Sequence, residues 1–122
     1  MKFSDYFSNN FETSDRHYIE TLQTRYYKVL KDQAKEAIKE VAKAENTRVA
    51  DQNDTYDEML IETSDYSAIF TLSNPKSMSE TGIDIMVTTN AFLPLGKGKK
   101  VIERIYKILD SKLPFIGVGR GQ

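Results

Sequence analysis

Between Thr13 and Glu45 the chain contains neither glycine nor proline, and its apolar residues recur at helical spacing. Ile19, Leu22, Tyr26, Val29, Leu30, Ala34, Ala37 and Val41 fall in one arc at 100° per residue, and Lys28, Lys31, Lys35 and Lys39 fall opposite. Thr13, Ser14 and Asp15 supply a hydroxyl cap and an early acid, the usual start of a helix. The pattern predicts a long first helix, about 45 Å at 1.5 Å per residue. That exceeds the roughly 28 Å width expected of so small a domain. Such a helix must bend, break near its start, or overhang and pair with a partner.

After residue 45 the period falls from 3.6 to 2. A short strand is expected at 47–51 around Val49, and a second at 56–63 around Met59, Leu60 and Ile61. A third at 66–73 sets Tyr66, Ala68, Phe70 and Leu72 against Ser67, Ile69 and Thr71. Residues 74–77, with Pro75, read as a loop. A last strand, 83–90, alternates Ile83, Ile85 and Val87 with Asp84, Met86 and Thr88. Connections this short favour an antiparallel meander of three to four strands. Residues 93–96 close the sheet region, and helical spacing returns over 99–111 through Val101, Ile102, Ile105, Ile108 and Leu109. Pro114 stops that C-terminal helix, and residues 117–122, three of them glycine, are expected to fray. The expectation is a two-layer α+β fold, α-β-β-β-α or with one further strand, both helices on one sheet face. With 122 residues the chain has room for one domain.

Composition removes several classes of function. There is no cysteine, hence no disulfide framework, thiol chemistry or cysteine-ligated metal, and the single histidine, His17, excludes a histidine cluster. Catalysis is not expected: no activated nucleophile accompanies His17, and Asp57 and Glu58 are neighbours that a strand would point to opposite faces. No cofactor is called for. Asp5, Asn9, Asn10 and Glu12 interrupt any secretory leader, and no apolar run reaches the ~18 residues of a membrane span. A cytoplasmic location is expected.

The net charge is −1 but unevenly spread. Residues 1–50 carry nine basic and eight acidic groups, residues 51–90 one and eight, residues 91–122 seven and two. The basic end can fold against the acidic middle, or the surface can be bipolar with a partner at one pole. The acidic sheet region argues against nucleic acid as the main partner.

Two candidate sites follow. In an aromatic arm at residues 1–13, Phe3, Tyr6, Phe7 and Phe11 share one side of a short helix and need burial, on this chain's own core or on a second copy. Gly96, Lys97, Gly98, Lys99 and Lys100 open the last helix, where free N–H groups and positive charge suit an anion; the plainer reading is a glycine turn with solvated lysines. The element order and Gly98, Lys99 and Lys100 resemble the double-stranded-RNA-binding domain, a family of α-β-β-β-α order in which such a turn meets phosphates. The resemblance covers the sheet and last helix and implies phosphate contacts at those three residues. The long first helix, the acidic sheet, and Val101, Ile102 and Ile105 in place of an alanine-rich face depart from it.

Asp51, Asn53, Thr55, Asp57 and Glu62 have the spacing of a calcium loop, yet Tyr56 stands where the sharp turn needs glycine. An acidic loop is the better account. The lysine row of the first helix reads as a solvated face. Together these features lead to an expected non-enzymatic, self-associating binding protein; the alternatives are a phosphate or nucleic-acid binder at residues 96–100 and a carrier of a small apolar ligand.

Overall fold

The computed structural model describes residues 9–90 and 95–121. The elements are β1 (Asn10–Glu12), a 3-10 turn (Glu20–Leu22), β2 (Arg25–Tyr27), α1 (Lys31–Ala44), β3 (Val49–Asn53), β4 (Glu58–Glu62), β5 (Tyr66–Ser77), β6 (Glu80–Thr89), α2 (Lys97–Lys112) and β7 (Phe115–Val118). The α+β class holds, with two helices and a seven-stranded antiparallel sheet. The order across the sheet is β3-β4-β5-β6-β2-β7, and β1 pairs with β6 beyond the end of β2.

The expected N-terminal helix is the main correction. Residues 10–27 form two strands and a connecting strap, and α1 has 14 residues, about 21 Å long. The local pattern misled because Thr21, Thr24, Tyr26, Tyr27 and Val29 also suit a strand, and pairing with β6 supplies what a helix cannot. Tyr26 and Tyr27 are adjacent and each almost wholly buried, at 1% and 0% exposure. Only a strand can send neighbours into two opposite faces. Tyr26 lies against Gly82, where a Cβ would fall 2.5 Å from the ring, and its hydroxyl donates to Asp15 at 2.9 Å. Tyr27 points under the helices and donates to Asp110 on α2 at 2.7 Å.

Between β1 and β2 the ladder on β6 is interrupted, and side chains complete it. Thr13 N–H donates to Ile85 O, Thr13 Oγ1 accepts the Ile85 N–H, and the Tyr106 hydroxyl reaches from α2 to Ile83 O at 2.7 Å. The strap closes at its base through Ser14 N–H to Leu22 O and Thr24 N–H to Ser14 O.

Leu30, expected in the core, is the N-cap of α1 and 52% exposed; its N–H is held by the Gln33 side chain. The helix ends at Ala44, and Asn46, just past the Glu45 C-cap, has the positive φ of 58° that suits the left-handed position there. The inward residues Ala34, Ala37 and Val41 are buried as the spacing required. The lysine row is less solvated than expected: Lys31 pairs with Asp57, and Lys35 pairs with both Asp54 and Asp57.

Three further corrections concern the ends of elements. Residues 74–77 are not a loop but the end of β5, with a register shift between Ser73 and Ser77 that accommodates Pro75. The tail is not frayed within the described residues: Phe115–Val118 pairs with β2, Gly119 N–H donates to Thr24 O, and Arg120 pairs with Glu80. The C-terminal helix begins two residues earlier than the periodicity indicated, at Lys97.

Both helices pack on the sheet face bearing Met59, Ile61, Ala68, Phe70, Ile83, Ile85 and Val87. Ile38, Val41, Ile102, Ile105 and Leu109 meet them, forming a continuous core. No helix among the described residues is long and apolar enough to cross a membrane.

Candidate functional site

The five residues of the helix-start turn have different surroundings. Gly96 is the N-cap of α2 in the left-handed conformation, φ 77°. Gly98 is buried, and a Cβ there would lie 2.7 Å from the Phe11 ring, so this glycine lets α2 approach β1. Lys99 turns to Glu103, 2.7 Å away. Lys97 and Lys100 are exposed and line a cleft of about 440 Å³ with Arg104, Ser64, Asp65 and Asn90.

That cleft continues past Arg104 into a more open one of about 700 Å³ at the C-terminal end of α1. Arg104 sits at the junction and donates from Nε to both oxygens of Glu45, at 3.0 and 3.2 Å. The Tyr66 hydroxyl donates to Glu45 as well, at 2.7 Å. The Arg104 hydrogen bond holds the Glu45 carboxyl below its ordinary pKa, against the opposing effect of burial.

Phe11, the described member of the aromatic arm, is 6% exposed and buried in this chain's own core. Phe3, Tyr6 and Phe7 lie outside the described residues, as do Leu93 and Pro94. Within the described residues α1 does not overhang, and Phe11 is covered by the chain itself.

The calcium-loop spacing resolves into a hairpin. Asp51 and Asn53 stand on β3 and Glu62 on β4, while Asn53 Oδ1 accepts the N–H groups of Thr55 and Tyr56 in the turn. Asp57, at φ 52°, serves Lys31 and Lys35, and the Lys31 hydrogen bond lowers its pKa. Among the described residues no group of three or more His, Asp or Glu side chains could hold a metal ion. His17 Nδ1 accepts the Ile19 N–H at 3.0 Å, and its ring stacks on Tyr18. Its acceptor nitrogen thus shapes the strap.

Sequence reasoning missed the other face of the sheet. Cross-strand register places Leu60 opposite Ile69 and Ile69 opposite Met86. The three form one row across β4, β5 and β6, partly exposed. Asp51 and Glu12 stand at its two ends, opposite Leu60 and Met86. Glu58, Thr71 and Asp84 form the next row on one side; Glu62, Ser67 and Thr88 form it on the other. A groove of about 160 Å³ runs into this face, lined by Asp51, Asn53, Glu58, Leu60 and Ile69 among others.

Asp84 belongs to this face but is tied down, its Oδ1 accepting the hydroxyls of Thr13 and Thr24 at 2.7 and 2.6 Å. Burial, reinforced by Asp15 and Glu12, pushes its pKa up despite these hydrogen bonds. The signal in the sequence was one apolar residue in the polar phase of each strand: Leu60, Ile69 and Met86. Their alignment depends on register, which no single strand carries.

Compared with protein-family models, with curated proteins and with solved structures, the chain matches none. The element order β-β-α-β-β-β-β-α-β also differs from that of the double-stranded-RNA-binding arrangement.

Proposed function

We propose that this protein acts by binding a partner rather than by transforming a substrate, and that the contact surface is the uncovered sheet face around Leu60, Ile69 and Met86. The observation that supports this reading is the cross-strand apolar row on a face where, among the described residues, neither helix packs. Apolar side chains left together in the solvent-facing phase of a sheet are an expense to solubility that a partner would relieve. The carrier alternative has less support, because Tyr27, Ile38, Phe70, Ile85, Ile102 and Ile105 fill the space between sheet and helices.

Amide NMR of the protein, titrated with a neutral amphipathic peptide, tests the reading. Perturbations gathered on Leu60, Ile69 and Met86 are expected. Perturbations confined to the helix layer, or none at millimolar peptide, reject it.

A second reading, an anion binder, draws on Lys97, Lys100 and Arg104 around one cleft. Inorganic phosphate should then shift those three residues, and Lys100→Glu should abolish the shift. Three cations imply weak attraction, so no measurable affinity for duplex RNA is expected at about 150 mM salt, where charges are screened beyond about 8 Å.

A further inference from the structure

Most of the ion-paired acids among the described residues lie on the helix side, Glu80 on β6, paired with Arg120, being an exception. On the helix side Glu36, Glu40, Glu45, Asp54, Asp57, Glu103 and Asp110 each pair with a lysine or arginine. Around the apolar row, Glu12, Asp51, Glu58 and Glu62 have no ion-pair partner among the described residues. Three of these four are exposed and Glu58 is partly so. Among the described residues this face therefore combines an apolar centre with surrounding acids that make no ion pair.

We infer that this face receives a basic amphipathic helix of a partner protein, one with lysine or arginine on both flanks of its apolar stripe; the inference rests on the sheet face being the contact surface. Geometry selects a helix. The row runs across the strands, so its side chains repeat at about 4.8 Å. A helix laid along it offers an apolar residue every turn, about 5.4 Å. The flanking acids lie two residues away along the strands, about 7 Å, which long basic side chains on a helix of about 10–12 Å diameter reach.

Charge selects against other occupants. A second copy apposed face to face would bring Glu12, Asp51, Glu58 and Glu62 against their equivalents. An anionic membrane would meet the same repulsion. Electrostatic complementarity favours a cationic partner and speeds its encounter.

The experiment compares three synthetic helical peptides that share one apolar stripe and differ in its flanks, carrying lysine, glutamine or glutamate. Binding is read by amide shifts on the full chain at about 50 mM and about 300 mM salt. The lysine-flanked peptide is expected to bind about tenfold or more tighter than the glutamine-flanked one at low salt, with shifts at Leu60, Ile69 and Met86. High salt should shrink that advantage. Ile69→Ser should weaken all three peptides, and Glu58→Gln with Glu62→Gln should remove the lysine preference while leaving the neutral peptide's binding intact. An unchanged amide spectrum elsewhere verifies that each variant is folded.

Equal binding of all three peptides to the row overturns the basic partner and keeps the contact surface. No peptide binding at all overturns both. A lysine preference that survives the Glu58 and Glu62 replacements also overturns the inference. So does concentration-dependent association of the free protein with shifts at the row, which makes the occupant a second copy.

Discussion

The two faces of the sheet are built from the same strands, often from adjacent residues, yet they obey different rules. On the helix side Phe70 is fully buried and its neighbours Ile83, Ile85, Ile102 and Ile105 are closed off as completely. One residue away, Ile69 faces out between Leu60 and Met86 and stays partly exposed. Charges differ too: seven helix-side carboxylates are ion-paired, whereas Glu12, Asp51, Glu58 and Glu62 around the apolar row make no ion pair among the described residues. The buried apolar side chains are concentrated on the helix-covered face, and under the proposed reading the other face serves contact.

Single substitutions at neighbouring positions should expose that division most strongly. Phe70→Ala removes a ring from a filled core and should cost about 3–5 kcal/mol. Ile69→Ala should cost about 1 kcal/mol or less, since its side chain gains little from burial. Urea midpoints of the two variants measure the difference; equal midpoints would mean that the outer face is as much a core as the inner one.

The next largest contrast is between two glutamates. Glu45 holds both Arg104 and the Tyr66 hydroxyl, so Glu45→Gln should lose about 1–3 kcal/mol at pH 7. Its pKa is lowered in the folded state. The stabilisation is thus present above its unfolded value of 4.5 and lost as pH falls through the folded value, so the two proteins should converge in acid. Glu62→Gln, on the open face, should stay within about 0.5 kcal/mol.

A further small effect has the opposite sign. Asp84 has a raised pKa, so the folded state holds its proton more tightly than the unfolded chain and stability falls as pH rises from 3.8 through the folded value. Asp84→Asn keeps an oxygen for the Thr13 and Thr24 hydroxyls and removes the buried charge. At pH 7 it should be slightly more stable than the parent, by under about 1 kcal/mol, with the gain vanishing below about pH 4. Thermal melts across that range give the sign directly; a less stable variant at pH 7 would show that the outer face needs this charge.

The phase of β5 and β6, the buried sides of α1 and α2, and the α+β class were legible in the sequence, because alternation and helical spacing are local consequences of backbone geometry. Tyr26 was misread for the same reason, since local spacing cannot tell a strand covered on both faces from a helix, and Leu30 because spacing does not mark where α1 begins. The seven-stranded sheet needed tertiary structure, since the strands at residues 10–12, 25–27 and 115–118 are three or four residues long and exist only through pairing with β6 and with one another. Gly98 likewise gained its meaning from Phe11, 87 positions earlier in the chain. The apolar row is the sharpest case. The sequence supplied Leu60, Ile69 and Met86 one at a time, in the polar phase of three strands. Register alone brought them side by side, because hydrogen bonding between strands decides which residue stands opposite which, and that choice is made only when the sheet assembles.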